Sequence, residues 1–304
     1  MKDIIKEGKI NLLTIHNKFE KKKRKHKMSN IIILFVTFIA LSSSSRAADV
    51  TETAFHYKKG ELADPSKWSM IKKEWEICGT GKRQSPIDLS PEIARLVHNS
   101  TKLIQTYYKP VEATLKNRGH DIMVSWDDDA GKIVINNTDY QLVQSHWHAP
   151  SEHLLNGERF AMELHMVHKS EEGHLAVIGV LFRKGEPNAF ISRIMEKINS
   201  IANIQDGEAT IGRLHPKDFG WDLTKFYEYS GSLTTPPCTE DVIWTIINKV
   251  GTVSHEQIKV LVDARRGGYE DNARPAQPLN DRVVYLNEQH TRSTPSSQGQ
   301  IDIN

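Results

Sequence analysis

Residues 144–168 of the chain read QSHWHAPSEHLLNGERFAMELHMVH. His146 and His148 stand two residues apart, so in a strand both side chains point to the same face, with Gln144 two residues earlier on that face. His165 follows on a second segment, after an Asn-Gly turn. If the two segments are neighbours in a sheet, three imidazoles converge.

The second segment has the alternation of a strand. Glu163, His165 and Val167 share one parity, and the other parity holds the apolar residues Phe160, Met162, Leu164 and Met166. Three neutral imidazoles with one open position are the ligand set of a catalytic zinc ion, whereas a structural zinc takes four protein ligands, usually including thiolates. The spacing therefore favours a catalytic metal site. A polar sheet face or a satisfied core pair is the alternative interpretation of the His-x-His pattern by itself.

The amino terminus has the pattern of a secretory signal peptide. Basic residues at 21–27 precede an apolar run at 31–41 and then small residues, with cleavage expected after Ala47 or Ala48. The run is shorter than the roughly 20 residues that span a bilayer. Met28 is an alternative start, and nuclear localisation is the competing interpretation of the basic run. We predict an extension and signal peptide over 1–48, one domain over 49–290 and a polar tail over 291–304.

Removal of that segment changes the charge of the protein. Residues 1–47 carry eleven Lys and Arg against three Asp and Glu, so the chain's net +2 becomes −6. The mature protein is therefore expected to have no nucleic-acid partner and no stable membrane association. The sequence carries no signal for an oligomeric state.

Two cysteines, Cys78 and Cys238, remain in the mature chain. In a secreted protein an even pair indicates one disulfide, and two buried thiols are the alternative. Asn99 and Asn136 begin tripeptides of the glycosylation form, which occur often by chance.

Short alternating runs separated by Gly, Asn and Asp predict strands at 122–126, 132–135 and 175–182. Helices are predicted at 190–201, where apolar residues recur at i, i+3, i+4 and i+7, and at 254–262. Ser254 and Gln257 form a capping-box pattern at the start of the second helix.

Seven separated motifs make the chain resemble the α-class carbonic anhydrases, in particular the secretory, plant-type branch. They lie, in the family's order, at residues 84–88, 117–120, 144–148, 151–153, 163–168, 229–237 and 272–279. The resemblance implies a mainly β, single-domain fold on a large, twisted, mostly antiparallel sheet with a few peripheral helices. It also implies a secreted, apoplastic protein, or one that reaches a plastid through the secretory route.

The activity implied by the resemblance is zinc-dependent, reversible hydration of carbon dioxide to bicarbonate and a proton, with zinc hydroxide as the nucleophile. His146, His148 and His165 match the Zn²⁺ ligands. Gln144 would orient the first of them and Glu163 the one on the second strand, while a backbone carbonyl near Asn272 would serve the remaining ligand.

The same resemblance assigns the remaining catalytic groups. Thr234 matches the residue that accepts a hydrogen bond from the zinc hydroxide and donates its own to a carboxylate, and Glu152 matches that carboxylate. His120 matches the proton shuttle, since an unperturbed histidine titrates near neutral pH. The implied wall for carbon dioxide consists of Val167, Val177, Leu233, Val242 and Trp244, with Thr234 and Thr235 beside it.

Three residues depart from the family's pattern in the pocket. Arg118 stands where asparagine is usual, Asp121 where a small apolar residue is common, and Met123 where a polar residue lines the pocket. Asp121 is expected to point away from His120 if a strand begins there. The aromatic cluster near residues 55–70 is only loosely matched.

Two other functions compete with the hydratase. One is a non-enzymatic storage or binding protein on the same fold, which the complete set of three histidines with Thr234 and Glu152 argues against. The other is a zinc esterase acting on activated esters, which the same hydroxide could support as a side reaction. Zinc content separates the first alternative from the enzyme.

Overall fold

The computed structural model of the protein describes residues 55–61, 63–98, 104–204, 206–265 and 269–288. They all belong to one compact unit, Glu52–Asn304. The predicted signal peptide, the polar tail and Asn99 lie outside the described residues. Within the described ranges, no helix is long and apolar enough to cross a membrane.

Fifteen strands are present in the described part of the chain. They are β1 (Asp88–Leu89), β2 (Ala94–His98), β3 (Gln105–Tyr108), β4 (Val111–Asn117), β5 (Ile122–Trp126), β6 (Gly131–Ile135), β7 (Thr138–His148), β8 (Leu154–Leu155), β9 (Glu158–Arg159), β10 (Met162–Lys169), β11 (Leu175–Lys184), β12 (Glu208–Leu214), β13 (Lys225–Ser232), β14 (Glu240–Val253) and β15 (Val284–Glu288).

Twelve of these strands form one sheet, in the order β12-β4-β5-β7-β10-β11-β14-β13-β15-β2, with β6 on β7 and β3 on β6. Two of its pairs, β11 with β14 and β15 with β2, are parallel, and the others are antiparallel. Strands β1, β8 and β9 make a separate small sheet. The predicted fold class, a large and mostly antiparallel sheet, is confirmed.

In β7 and β10, one face of each strand packs into the main core, and the other face carries the histidines. Trp147 of β7 and Leu164 of β10 lie in the main core, where Trp147 stacks on Phe190 at 6.2 Å between ring centroids. Because side chains alternate across a strand, His146 and His148 lie on the other face. The packing of the apolar face therefore fixes the direction in which the histidines point.

Four α-helices lie in the described ranges: α1 (Trp68–Ile71), α2 (Ile77–Thr80), α3 (Ala189–Ser200) and α4 (His255–Asp263). The two longer ones match the predicted helices to within a residue or two. The α3 helix begins after Asn188, whose side chain accepts a hydrogen bond from Ile191 N, and α4 begins after Ser254 with the predicted capping box to Gln257. The apolar face of α3 packs into the main core.

A disulfide joins Cys78 of α2 to Cys238, as the sequence predicted. Around it lies an aromatic cluster formed by Phe55, Tyr57, Trp68 and Trp75, with Tyr269 packed against it. The sequence matches the family's aromatic cluster only loosely, but these side chains still pack together. Its four core rings are 0–7% exposed, and ring centroids stand 5.2–6.2 Å apart in edge-on contacts.

Reduction of the Cys78–Cys238 disulfide is expected to lower the unfolding temperature without releasing any metal that the predicted histidine site binds. The bond closes a sequence separation of 160 residues, which corresponds to about 4–5 kcal/mol in the chain-entropy account. Thermal unfolding with and without reductant, followed by zinc analysis of the desalted protein, measures both effects. Intact mass after alkylation without reductant is the control. Two alkylated thiols in natively secreted protein would contradict the bond.

His168 of β10 is a buried histidine of the fold rather than of the metal site. Its Nε2 lies 2.7 Å from the Tyr108 hydroxyl and its Nδ1 lies 3.3 Å from Ala176 O. The carbonyl requires Nδ1–H as donor, so Nε2 is left to accept from the tyrosine. Burial lowers the pKa of His168 to about 3, and the folded protein therefore holds this side chain neutral.

We expect His168 to make the protein less stable in mild acid. Its pKa is about 6.5 when unfolded and about 3 when folded, so between these values only the unfolded chain binds the proton, and stability falls as pH falls. From pH 7 to 5 the free energy of unfolding should decrease by about 2 kcal/mol more in the natural protein than in His168→Gln. Urea unfolding at both pH values measures this difference. Equal losses in the two proteins would show that His168 does not titrate in this way.

Candidate metal centre

The structure brings His146, His148 and His165 together. His146 pairs directly with His165 across β7 and β10. The Nε2 atoms of His146 and His148 lie 3.1 Å apart, and the candidate ligand atoms of the three histidines all lie within 4.8 Å of one another. His148 and His165 are 0–1% exposed, and His146 is 9% exposed. The sequence spacing placed the pair, and the strand register supplies the third imidazole.

Each of the three imidazoles has an acceptor behind it. His146 Nδ1 lies 2.8 Å from Gln144 Oε1, and His165 Nε2 lies 2.8 Å from Glu163 Oε1. His148 Nδ1 lies 2.7 Å from the backbone carbonyl of Asn272. Because an amide oxygen, a carboxylate and a carbonyl all accept, the ring nitrogen facing each one donates. The nitrogens left with a lone pair for a metal are Nε2 of His146, Nε2 of His148 and Nδ1 of His165. Acceptors behind metal-binding imidazoles have this role, because they fix which ring nitrogen carries the proton.

The protonation of the histidines also suits a metal. Burial lowers the pKa of His148 to about 3 and the pKa of His146 well below its usual value. Burial acts in the same direction on His165, but the adjacent Glu163 carboxylate outweighs it and raises the pKa. Two of the imidazoles are neutral, and the third is paired with a carboxylate. This donor set fits a tetrahedral zinc site with one position open.

Asn272 joins three segments of the site. Its carbonyl receives His148, its Oδ1 accepts from Ala149 N at 2.9 Å, and its Nδ2 donates to Trp147 O at 3.2 Å and to His120 O at 2.9 Å. The resemblance implied only a backbone carbonyl from this region. The side-chain contacts have no signal in the sequence, since the partners lie 123–152 residues away.

Glu163 links the metal ligand to a buried hydrogen-bonded chain. Its Oε1 also lies 2.7 Å from His153 Nδ1, and His153 Nε2 lies 2.7 Å from the Tyr229 hydroxyl. That hydroxyl lies 2.7 Å from Ser85 Oγ, which accepts from Ser232 N at 3.0 Å. The chain thus runs from the ligand strand to the segment just before Thr234. The sequence analysis did not predict this network, whose contacts at Tyr229 join residues 76 and 144 positions apart.

Glu152 lies fully buried beside the histidines. Its Oε1 accepts from Arg274 N at 2.8 Å, and its Oε2 lies 3.6 Å from His148 Nε2 and 4.0 Å from His165 Nδ1. Burial raises the pKa of Glu152 to about 7, against the lowering effects of His165, the hydrogen bond from the Thr234 hydroxyl and the Arg274 N–H. The carboxyl is therefore placed at the ligand nitrogens, and Thr234 is one of its donors.

Thr234 lies in a tight turn, and the Cys78–Cys238 disulfide joins this turn to α2. Cys238 N donates to Thr235 O and Leu233 N donates to Thr239 O, both at 2.9 Å. The Pro236–Pro237 bond within it is cis. Gln84 Nε2 donates to the Cys238 carbonyl at 3.0 Å. The disulfide therefore anchors the turn.

The predicted wall residues lie together beside His165. Trp244 packs at 4.8 Å from the His165 ring, between centroids. Val177, Val242 and Trp244 belong to one buried apolar cluster, and Val167 and Leu233 pack against it. Thr235 is half-buried next to Thr234. The three-histidine cluster thus has apolar surface beside His165.

His120 is buried at the turn between β4 and β5. It is 5% exposed and packs against Phe55 and Tyr269 at 5.6 and 6.2 Å between ring centroids. Burial lowers the pKa of His120 to about 4, although Asp121 acts to raise it. The assumption of an unperturbed imidazole is therefore wrong in this conformation.

The expectation that Asp121 points away from His120 is also wrong. Strand β5 begins one residue later, at Ile122, so the alternation of a strand does not apply at Asp121. Its Oδ2 lies 3.5 Å from His120 Nε2, and its carboxylate accepts a hydrogen bond from Arg118 Nε at 2.8 Å.

Asn136, a candidate glycosylation residue, lies on the exposed two-residue turn between β6 and β7, and its modification stays a prediction.

Fold and site together define a mainly β protein with a three-histidine centre of the catalytic type. The eukaryotic-type carbonic anhydrase family matches residues 63–288. Alpha carbonic anhydrase 3 of Arabidopsis thaliana is 79% identical over 262 residues, which cover 86% of this chain and 94% of the relative. Alpha carbonic anhydrase 4 of the same plant is 46% identical over 253 residues, covering 83% and 92%.

Two solved structures are also similar to this chain. A crystal structure of dioscorin complexed with ascorbate has a TM-score of 0.75 at 40% identity and covers 79% of this chain and 99% of its own. An α-carbonic anhydrase from Thermovibrio ammonificans in complex with sulfanilamide has a TM-score of 0.69 at 32% identity, covering 76% and 98%. The chain belongs to the eukaryotic-type, or α, carbonic anhydrase family, and is an enzyme of carbon dioxide hydration.

Proposed function

We propose that the enzyme hydrates carbon dioxide reversibly with Zn²⁺ held by His146, His148 and His165. The observation that carries this assignment is the convergence of three imidazoles, each with its other ring nitrogen on an acceptor. A zinc ion held there would lower the pKa of a coordinated water to about 7, a general effect for which carbonic anhydrases are themselves the standard example. The protein's own residues supply the remaining steps.

Glu152 and Thr234 set the direction of attack. With Glu152 ionised, the Thr234 hydroxyl donates to it, and the threonine oxygen can then only accept a hydrogen bond. A group with a proton to donate is therefore selected, and its lone pair is directed at the substrate. Burial raises the pKa of Glu152 to about 7, and a divalent cation bound nearby would lower it again, which favours the ionised form.

The apolar surface beside His165 suits carbon dioxide. The substrate is small and carries no charge, so it gains little from polar partners and is held by contact with side chains such as Val177, Val242 and Trp244. Charged bicarbonate gains nothing from that surface and leaves. The chemistry of this wall agrees with carbon dioxide and bicarbonate as the small-molecule substrate and product.

His120 is proposed to take the proton that hydration releases. Its backbone is held by Asn272, whose carbonyl also receives the ligand His148. This places a titratable imidazole on a segment tied to the metal site. Since its pKa is lowered to about 4 by burial, proton acceptance depends on the charges around it.

We further propose that the chain enters the secretory pathway and acts outside the cell, with a plastid reached by the same route as the alternative. The disulfide and the plant relatives support this location. Glycosylation at Asn136 belongs to the same proposal. Amino-terminal sequencing and glycosidase treatment of secreted protein test both points, and an intact residue 1 on the secreted chain would contradict the signal peptide.

The function is tested on residues 49–304 by stopped-flow hydration of carbon dioxide and metal analysis of the same sample. We expect one zinc per chain, activity that disappears with a chelator, and recovery when zinc is returned. Protein without zinc and without hydration would instead indicate a binding protein, as the ascorbate complex of its relative dioscorin illustrates. Ester hydrolysis alongside hydration is compatible with the proposal, but ester hydrolysis alone is not.

A further inference from the structure

The hairpin turn between β4 and β5 carries a buried ion pair next to His120. Arg118 donates from Nε to Asp121 Oδ1 at 2.8 Å, and its NH2 group is paired with Oδ2 of the same carboxylate. Asp121 is 1% exposed, and the Arg118 side chain is 27% exposed. Two parallel N–H···O bonds fix the plane of the carboxylate. The Oδ2 atom is then held 3.5 Å from His120 Nε2.

The turn itself is rigid. Arg118 N donates to Asp121 O at 3.0 Å, and Gly119, at φ +87°, allows the reversal. Asn117 holds the turn to the rest of the domain through two bonds from its Nδ2, to Ile201 O and Ala264 O. His120 and the Asp121 carboxylate therefore keep a fixed relation to each other.

The charges that face His120 come from its own turn and from the segment after α4. Arg118 and Arg265 are cations and disfavour a second positive charge, as burial does, and Tyr269 contributes an aromatic face. Asp121 is the facing carboxylate, and it favours the protonated ring. Burial alone would raise the pKa of Asp121, but Arg118 and His120 lower it well below its usual value. Asp121 thus acts as a fixed negative charge and not as a proton carrier.

We propose that Asp121, anchored by Arg118, is a positioning residue for proton release: it is the counter-ion of the imidazolium that His120 forms on taking the proton of hydration. The inference rests on the proposed function, because it requires that hydration deliver a proton to His120. In this step His120 gains one proton, Asp121 stays ionised, and the proton leaves later to buffer. Arg118 and Asp121, which both depart from the family's pattern, then act together as one functional pair.

The test uses zinc-loaded protein, residues 49–304, with Asp121→Asn, His120→Ala and the double variant. An NMR titration of the His120 ring should show its midpoint moved to lower pH in Asp121→Asn. In weak buffer, kcat should fall about tenfold, the scale expected when the counter-ion of a general base is removed. kcat/KM should stay within about twofold, since proton export follows the hydration step. Imidazole in the buffer should restore kcat.

The double variant decides whether Asp121 acts through His120. We expect it to match His120→Ala alone, because the counter-ion has no role once the imidazole is gone. Losses that multiply, or an unmoved NMR midpoint, would overturn the inference while leaving hydration intact. Absence of hydration by the zinc-loaded natural protein would instead overturn the proposed function.

A variant without either charge and a matched control variant complete the test. Arg118→Met with Asp121→Leu removes both charges together and leaves no buried charge unpaired. Because Arg118 itself disfavours the imidazolium, this variant should show a smaller loss of kcat than Asp121→Asn, with the same rescue by imidazole. It keeps the inference testable if Asp121→Asn fails to fold, and a natural kcat would overturn the inference. Asp263→Asn is the matched control, since this exposed carboxylate pairs with Lys259 on α4. Both kinetic constants should be unchanged in it.

Discussion

Replacing His165 by alanine is expected to remove stoichiometric zinc and carbon dioxide hydration together. The residue supplies one of three converging nitrogens, and two imidazoles do not complete the tetrahedral arrangement that a catalytic zinc requires. Glu163 keeps its second partner, His153, at 2.7 Å, so the buried carboxylate is not left alone and the fold should survive. Metal analysis, stopped-flow hydration and thermal unfolding of the same sample measure the three quantities.

The matched control is His174→Ala. This exposed histidine lies on the turn between β10 and β11, and hydrogen bonds at the turn involve backbone atoms of residue 174. It should keep one zinc per chain and natural activity, which separates loss of a ligand from loss of any histidine. Full zinc content and full activity in His165→Ala would contradict the ligand assignment.

The parity of residues along two strands made much of this centre predictable. His146 and His148 share a face in any strand, and Glu163 and His165 share one on the next. What the sequence left open was the register between the strands, which brings His146 opposite His165. A shift of one residue would have turned every side chain of one strand to the other face.

The contacts that cross long stretches of chain could not be predicted. Tyr229 and Ser85 are 144 residues apart, yet their hydroxyls lie 2.7 Å apart, and nothing local to either position signals the pairing. The aromatic cluster likewise combines residues 55–75 with Cys238 and Tyr269 from distant parts of the chain. Local patterns fix strands and helix caps, whereas such networks depend on the whole packing.

Asp121 shows how a local rule fails at a functional site. Alternation predicted a side chain facing away from His120, but the residue precedes β5 and pairs with Arg118 inside the turn. Burial of His120 was missed for a related reason, because Phe55 and Tyr269 cover the turn from distant parts of the chain. Both errors concern the turn that carries His120.

Replacing Thr234 by alanine is expected to leave zinc bound and to lower kcat/KM for hydration by about 10²-fold, the scale of losing one oriented catalytic hydrogen bond. Thr234 is 5% exposed, and its hydroxyl is one of the donors to the buried Glu152 carboxyl. Without it, the carboxyl loses a donor and the attacking oxygen loses the acceptor that orients it. The three imidazoles and their outer acceptors are untouched, so metal affinity should not change. Zinc content and stopped-flow rates on one sample separate the two effects.

Glu152→Gln should reproduce most of that loss, because an amide can donate back to the threonine and reverse the polarity of the pair. Thr210→Ala is the matched control, since this threonine is exposed on β12, and its rates should be natural. The combined Thr234→Ala and Glu152→Gln variant should be no slower than the slower single variant if the two side chains act as one unit. A full product of the two losses, or an unchanged kcat/KM in Thr234→Ala, would show that the hydroxyl and the carboxyl do not work as a pair in this enzyme.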